Sequence, residues 1–409
     1  MISNFQNRLL IPIVGLIALF TIGIIWMTRR GAITTVILAA VTSSPGITPT
    51  ATPTIEQRIE AYIQRLSPAE QIGQLLMLPV YADAYQPDFT IALQQWHISN
   101  VIMFTQYSYG ILKPQTLAEF QQLVRDLQSH AESNLMIATD LEGGGVDRIA
   151  PYYGYTPAPS DLTASGDPQK AFAQAKLDAQ RLKDIGINTD LAPLTDIYQG
   201  GVLDQSRTFG TNPNQVTTYA GAFLDGLQQN GVIGTLKHWP GIGSESGDPH
   251  ISLPTIAHDK ATLNAVDFAS FRQLLTHHPG MIMTTHVLVP AYDTTAPASL
   301  SPVLIDDVLR GQLGYQGVVI TDAMEMGGIG IYMQQQGYTE PSQAVAEASV
   351  RAVLAGNDII ECPHDTDQVA AIVTTLLSAV QSGRISQARL HLSLQRIINL
   401  KVQMGLLSV

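Results

Sequence analysis

Short apolar runs alternate with longer amphipathic stretches from Ile55 to the carboxyl terminus. Stretches such as 169–185 and 215–230 repeat apolar residues at helical spacing, which predicts amphipathic helices. Alternating strands and helices indicate parallel strands joined by right-handed crossovers. Eight such units predict a (β/α)8 barrel, and a doubly wound open sheet is the alternative. The predicted strands are 73–80, 98–104, 135–140, 189–193, 232–238, 281–287, 318–321 and 358–362.

Polar side chains gather where the predicted strands end, whereas the strands begin mostly with Gly, Ile, Val, Leu or Met. In a barrel, the carboxyl ends of the strands form a single rim, and active sites lie on that rim. The sequence therefore predicts a functional site there. The polar residues at these ends are Asp140, Asp190, Lys237, His238, His286, Asp322 and His364.

Composition excludes several classes of protein. The chain is 45% hydrophobic and 14% charged, against a usual charged share of about 25%, so general disorder is excluded. A net charge of −12 repels phosphate backbones, so no nucleic-acid partner is expected. Cys362 is the only cysteine, which excludes intramolecular disulfides and cysteine-rich zinc sites. The histidines form no H-E-x-x-H motif and no cluster with metal-ligand spacing, so we expect no metal and no cofactor.

The amino-terminal segment has a different pattern. Residues 9–27 contain no charge and one polar side chain, Thr21, and about 20 such residues cross a bilayer as a helix. A buried core helix is rarely apolar on all faces, whereas a cleaved signal peptide remains an alternative. We therefore divide the chain into a membrane anchor or uncleaved signal at 1–30, a Ser/Thr/Pro-rich linker at 31–54 and a folded domain at 55–409.

Orientation in the membrane is nearly balanced. Arg8 precedes the span and Arg29 and Arg30 follow it, which weakly favours a cytoplasmic carboxyl side. The linker that follows favours the opposite arrangement, because Ser/Thr/Pro-rich stalks hold a domain away from a membrane surface. We expect a single-pass protein of the cell membrane with an extracytoplasmic domain, or a secreted protein if the signal is cleaved.

Four ordered motifs stand out in the chain: ATDLEGGGVDRIAP at 138–151, SRTFG at 206–210, KHWPGIGSESGDPHISLP at 237–254 and GVVITDAMEM at 317–326. Together they resemble glycoside hydrolase family 3, and most of all its single-domain β-N-acetylhexosaminidases. The resemblance covers nearly all of 55–409 and implies a barrel that acts on carbohydrate without a cofactor. Two further segments, GINTDLAPLTDIY and RIINLKVQMGLL, also look like family segments.

The resemblance assigns the catalytic roles. Asp322 matches the nucleophile, the carboxylate that attacks the anomeric carbon in a retaining glycosidase; from the residues alone it could equally be a helix N-cap. Asp248 and His250 match the Asp–x–His pair that these hexosaminidases use as acid and base. A carboxylate beside an imidazole orients the ring and stabilises its charged form. The alternative is an ordinary exposed loop histidine.

The resemblance also assigns sugar-binding roles to Asp140, Arg148, Arg207, Lys237 and His238. Sugars present many hydroxyl groups, and buried charged hydrogen bonds discriminate among them. Salt bridges in the barrel mouth are the alternative for the arginines, and a buried structural role is the alternative for the lysine. We expect Glu142 to brace the glycine-rich turn and His286 to be a satisfied core histidine.

The sequence thus predicts a retaining exo-glycosidase that removes terminal β-linked N-acetylglucosamine from oligosaccharides or peptidoglycan-type glycopeptides, with water or phosphate as acceptor. An exo-β-glucosidase of the same family is one alternative. A catalytically silent surface sugar-binding barrel is another, because Gly145, Ile242 and Ala323 depart from the family pattern. Pro249 also departs from that pattern.

Overall fold

The computed structural model describes residues 53–105, 113–245 and 247–409. The predicted membrane span at 9–27 and nearly all of the predicted linker lie outside these residues. Among the helices of the described ranges, none combines the length and the apolar character that a bilayer crossing requires.

Eight parallel strands form a nearly closed barrel in chain order. Each strand pairs with the next along the chain from β1 to β7, and β8 pairs with β1. A bridge between Ile320 and Ile359 links β7 to the residue before β8. All eight predicted strands are present, and the open-sheet alternative is wrong. The strands are β1 (Leu76–Val80), β2 (Asn100–Met103), β3 (Met136–Thr139), β4 (Thr189–Asp190), β5 (Ile233–Trp239), β6 (Met281–Thr284), β7 (Val318–Thr321) and β8 (Ile360–Glu361).

Helices follow the strands around the outside, and local sequence signals set their limits. The helix predicted at 169–185 is Pro168–Ile185: the Asp167 side chain caps its first turn, and Gly186 ends it with a φ of 101°. Capping side chains satisfy free N–H groups at the start, and glycine adopts this left-handed end without strain. The other main helices are Ile55–Ile63, Pro68–Gln74, Leu117–His130, Pro213–Gln228, Lys260–Ala265, Asp267–Leu274, Gly327–Gln335, Pro341–Ala355, Thr366–Gln381 and Gln387–Gln403, with π-helices at Ile91–Gln95 and Val303–Gln312.

The amino-terminal end of the barrel holds a buried charge cluster. Asp358, which is fully buried, accepts hydrogen bonds from Arg310 (2.7 Å), Arg396 (3.1 Å), Arg389 (3.3 Å) and the Ser393 hydroxyl (2.7 Å). Removing one partner of a buried ion pair typically costs about 3–5 kcal/mol. The Asp358 carboxylate is therefore fully paired, and this cluster has a structural role.

The opposite end is built from irregular segments. After β3, the strands Leu141–Gly143 and Val146–Asp147 form a hairpin around the glycine-rich turn. Gly143 has a φ of 88°, and a Cβ there would lie 2.2 Å from the Pro157 carbonyl oxygen. Only glycine fits this turn, which holds Glu142 and Arg148 over the barrel mouth.

Candidate active site

A cavity of about 1240 Å³ opens at the carboxyl ends of the strands. It is lined by all eight residues to which the family resemblance assigned a catalytic or sugar-binding role. They come from the ends of β3, β5 and β7 and from the loops that follow β3, β4 and β5. They are Asp140, Arg148, Arg207, Lys237, His238, Asp248, His250 and Asp322.

Asp322 follows β7 directly and is half-buried in the cavity wall. Its backbone N–H donates to the Thr284 carbonyl (2.8 Å), and its Oδ1 accepts the Ala323 N–H (2.9 Å). Burial alone would raise the pKa of this carboxyl, but the imidazoles of His238 and His286 lower it below its usual value. Asp322 is thus a rigidly held carboxylate that is ionised at neutral pH.

Asp248 and His250 form a hydrogen-bonded pair on the loop after β5. One oxygen of Asp248, Oδ1, accepts both from the His250 backbone N–H (2.9 Å) and from its ring Nδ1 (2.7 Å). The ring therefore has a fixed orientation, with Nε2 directed away from the carboxylate. The His250 side chain is 68% exposed, so solvent and substrate can reach it.

Two backbone hydrogen bonds attach this loop to the segment that follows Asp322. Gly327 donates to the His250 carbonyl (2.9 Å), and Gly328 donates to the Pro249 carbonyl (3.0 Å). Both N–H groups belong to the first turn of helix Gly327–Gln335 and have no partner within that helix. A Cβ at Gly327 would lie 2.7 Å from the His250 carbonyl oxygen. The close approach positions the dyad loop against the segment that begins at Asp322.

Lys237 lies at the centre of a buried ion-pair network on the cavity floor. Its Nζ lies 2.8 Å from both Asp140 Oδ1 and Glu142 Oε1. Arg207 donates to Glu142 through Nε (2.7 Å) and Nη2 (2.9 Å). Burial alone would lower the pKa of Lys237, but Asp140 and Glu142 raise it above its usual value. The network holds the lysine charged and fixes the direction of the guanidinium.

We had expected Glu142 to brace the glycine-rich turn. Its carboxylate instead forms ion pairs with Arg207 and Lys237. Burial alone would raise the pKa of its carboxyl, but Arg207 and Lys237 lower it far below its usual range. Arg207 forms a salt bridge with Glu142 and also lines the cavity. Arg148 lies 3.7 Å from Asp140 and 5.5 Å from the centre of the Phe104 ring.

His238 is held by a carboxylate that does not line the cavity. Asp196, which is fully buried, accepts from the His238 ring Nδ1 (2.7 Å) and from the Ile242 backbone N–H (2.9 Å). Because a carboxylate only accepts, the proton lies on Nδ1, and Nε2 is left to face the cavity. Asp196 lies in the segment GINTDLAPLTDIY, whose resemblance to the family had given it no individual role.

A family model described as the glycosyl hydrolase family 3 N terminal domain matches residues 68–400. The chain belongs to glycoside hydrolase family 3. It is 29% identical over 348 residues to beta-hexosaminidase A of Pseudoalteromonas piscicida, and the match covers 78% of this chain and 55% of that protein. It is 28% identical over 347 residues to beta-hexosaminidase LpqI of Mycobacterium tuberculosis (strain ATCC 25618 / H37Rv), and the match covers 82% of this chain and 83% of that protein.

A solved structure of a family 3 beta-N-acetylglucosaminidase from Paenibacillus sp. str. FPU-7 has the same fold. It is 31% identical to this chain with a TM-score of 0.74, and the match covers 84% of this chain and 64% of that chain. The chain thus spans just over half of the P. piscicida protein and less than two thirds of the Paenibacillus one.

Two polar residues at the strand ends of this family 3 barrel lie outside the cavity wall. His286 is fully buried and bonds Ser299 Oγ through Nδ1 (2.7 Å) and the Ala323 carbonyl through Nε2 (3.0 Å). It is the satisfied core histidine that the sequence predicted. Asp190 is also fully buried and accepts the Leu141 N–H (2.9 Å). Both support the rim rather than line it.

The positions that depart from the family pattern leave the dyad and Asp322 in place. Gly145 is exposed in the hairpin turn and has open space where a side chain would begin. Ile242, Pro249 and Ala323 line the cavity as apolar wall. At Ile242, Pro249 and Ala323 the cavity wall is therefore apolar, and the Asp248–His250 hydrogen bond is kept.

Sequence reasoning gave no role to four further residues that line the cavity, Tyr81, Glu245, Glu325 and Glu361. Glu325 accepts from the His364 ring Nδ1 at 2.5 Å, which makes a second histidine–carboxylate pair on the rim. Position after a strand would have identified Tyr81 and Glu361, since Tyr81 follows β1 and Glu361 ends β8. Glu245 has no such signal, because it lies within the long loop after β5.

Glu245 should make the folded state less stable as pH rises. Its side chain is 1% exposed, its Oε2 has no hydrogen-bond partner among the described residues, and burial with nearby Asp196 and Asp248 raises its pKa to about 8. Between about pH 4.5 and 8 the unfolded chain loses this proton while the folded protein keeps it. Stability therefore falls with rising pH in that window.

We expect Glu245→Gln to raise the free energy of unfolding by about 1–2 kcal/mol at pH 7. At pH 4 the gain should vanish, because the carboxyl is then neutral in both states. Urea unfolding at the two pH values measures this. An equal effect at both pH values would contradict the assignment of a raised pKa to Glu245.

Proposed function

We propose that this family 3 chain is a retaining exo-glycosidase that removes terminal β-linked N-acetylglucosamine from oligosaccharides or peptidoglycan-type glycopeptides. The main support is the presence of Asp322 and an intact Asp248–His250 pair in a single cavity. The printed names of the similar proteins, beta-hexosaminidase and beta-N-acetylglucosaminidase, support the choice of sugar.

In the first step, Asp322 attacks the anomeric carbon of the terminal sugar. His250 gives the proton on Nε2 to the glycosidic oxygen, the bond from the anomeric carbon to that oxygen breaks, and a covalent glycosyl-enzyme forms. Asp248 acts on Nδ1 of the same ring, where it stabilises the charged imidazole before the proton leaves. The low pKa of Asp322 supports this role, because a nucleophile must be ionised.

In the second step, His250 accepts a proton from water as the water oxygen attacks the anomeric carbon. The bond to Asp322 breaks, and the sugar leaves with its original β configuration, since two inversions restore it. Phosphate is the alternative acceptor, because a neutral imidazole repels it less than a carboxylate would. Measuring free sugar against sugar 1-phosphate in phosphate buffer separates the two acceptors.

Five residues are proposed to hold the terminal sugar. Asp140 accepts from sugar hydroxyls, while Lys237, Arg148, Arg207 and His238 contact its oxygens. The network around Lys237 is formed before substrate arrives, so little reorganisation accompanies binding. Pre-formed buried polar groups also penalise a sugar that lacks the matching hydroxyls.

A panel of 4-nitrophenyl β-glycosides with purified residues 55–409 tests the proposal. We expect turnover of the N-acetylglucosaminide with a far higher kcat/KM than of the glucoside or xyloside, and β-configured sugar as the first product in proton NMR. A preference for the glucoside would favour the exo-β-glucosidase alternative. No turnover of any glycoside, together with retained sugar binding, would favour a silent sugar-binding barrel.

We further propose that the uncharged segment at 9–27 tethers this domain outside the cell membrane. The support is the pattern of the sequence alone. Full-length protein should stay in the membrane pellet after alkaline carbonate washing, and protease added to intact cells should remove the domain. A soluble protein whose amino terminus begins after residue 27 would instead indicate signal cleavage and secretion.

A further inference from the structure

Glu361 is a buried carboxyl whose two oxygens make no hydrogen bond with any described residue, although its backbone is well fixed. It ends β8, lines the cavity and is 4% exposed. Its N–H donates to Thr321 Oγ1 (3.1 Å), and its carbonyl accepts the Met324 N–H (3.1 Å). Both contacts attach it to β7 and the segment after it, next to Asp322.

Two of the buried carboxylates near the cavity are paired with cations or with an imidazole. Glu142 has Lys237 and Arg207, and Asp196 has His238. The carboxyl of Glu361 has no such partner among the described residues, and it lines the cavity. A ligand in the cavity can supply the missing hydrogen bond.

The surroundings of Glu361 favour its neutral form. Burial, followed by the nearby charges of Asp322 and Asp140, raises the pKa of this carboxyl well above its usual value, and Glu325 acts in the same direction. Lys237 opposes them, but it is already paired with Asp140 and Glu142. These surroundings favour the protonated carboxyl, which has one O–H donor and also accepts.

Few groups in the proposed sugar-binding set can both donate and accept a hydrogen bond. Asp140 and Asp322 only accept, while Lys237 and the guanidinium groups only donate. A sugar hydroxyl or acetamido group does both. We propose that Glu361 is a further specificity-determining residue, which hydrogen-bonds to the bound terminal sugar as a neutral carboxylic acid; this rests on the proposed function.

Two substitutions separate this role from a structural one. Glu361→Gln keeps a neutral donor and acceptor of the same size, and Glu361→Met replaces it with an apolar group of similar volume. Asp307→Asn, at an exposed carboxylate on helix Val303–Gln312, is the matched control. The readouts are kcat/KM on 4-nitrophenyl N-acetyl-β-glucosaminide, calorimetric binding of free N-acetylglucosamine, and the thermal unfolding midpoint.

We expect Glu361→Gln to stay within about threefold of the wild type at pH 7 and Glu361→Met to lose about 10- to 100-fold in kcat/KM and in sugar affinity, as for one lost hydrogen bond. The unfolding midpoint of the methionine variant should be equal to or above that of the wild type. As pH rises, the activity of Glu361→Gln relative to the wild type should increase, because only the wild type loses the donor proton.

Three results would overturn the proposal. One is a methionine variant with wild-type turnover and sugar binding. Another is a glutamine variant as impaired as the methionine variant, which would mean that a negative charge is needed. The third is a wild type that prefers the glucosaminide with a free amine, whose ammonium group would pair with an ionised carboxylate.

Failure of the proposed function gives a different pattern. A wild type that binds N-acetylglucosamine but turns over no glycoside is not a glycosidase, and the binding data alone then decide the role of Glu361. A wild type that neither binds nor hydrolyses the sugar removes both proposals.

Discussion

Replacing Asp322 by asparagine should reduce kcat on 4-nitrophenyl N-acetyl-β-glucosaminide by at least about 10⁴-fold, the scale seen when a nucleophile is removed. The amide keeps the shape of the side chain and its contact with the Ala323 N–H, but it cannot form the covalent intermediate. Steady-state kinetics measure the loss, and an unchanged unfolding midpoint shows that the fold is intact.

The smaller variant Asp322→Gly provides a chemical control. Azide added to it can occupy the vacated space and attack the anomeric carbon once, so activity should return and the product should be the α-glycosyl azide. Asp190→Asn, at the buried carboxylate behind the cavity wall, should show no azide rescue. Activity of Asp322→Asn within tenfold of the wild type would rule out a nucleophilic role.

Replacing His250 by glutamine should lower kcat/KM most for substrates whose leaving group must be protonated to depart. For a disaccharide of N-acetylglucosamine, kcat/KM should fall by about 10²–10⁴-fold, the usual contribution of general acid catalysis. For a 2,4-dinitrophenyl glycoside, whose leaving group departs without protonation, kcat/KM should change little. Asp248→Asn should show the same trend with smaller losses, because it orients the ring without transferring the proton.

The second histidine–carboxylate pair serves as the matched control for that experiment. His364 is also exposed and held through Nδ1 by a carboxylate, Glu325. His364→Gln should lower activity, if at all, by the same factor for both leaving groups. An equal loss for both leaving groups in His250→Gln would contradict its role as the acid.

The fold followed from the sequence because strand periodicity and polar strand ends are local signals. All eight strands are in the predicted order, and each predicted site residue lies at the cavity. The family motifs specified which polar residues to select, including Asp248 and His250, which no strand end marks. Such patterns can be recognised in a sequence because each depends on only a few neighbouring residues.

The remaining features depend on residues far apart in the chain. Asp196 supports His238 from 42 positions away, and Glu142 contacts Arg207 across 65 positions. The raised pKa values of Glu245 and Glu361 arise from burial and from nearby carboxylates in other parts of the chain. A linear sequence gives no measure of desolvation, so these properties required the folded arrangement.

The hydrogen bonds from Gly327 and Gly328 to the dyad loop have a consequence for product release. If the loop moved His250 outward while the helix stayed in place, the N–H groups of Gly327 and Gly328 would lose their hydrogen-bond partners. Both groups lie in the first turn of a nine-residue helix, so opening of the loop would destabilise the start of that helix. Backbone hydrogen bonds to a neighbouring helix therefore contribute to the barrier to loop opening. Side-chain changes elsewhere on the rim leave these two bonds in place, so we expect them to alter which sugars fit more than how fast the loop opens.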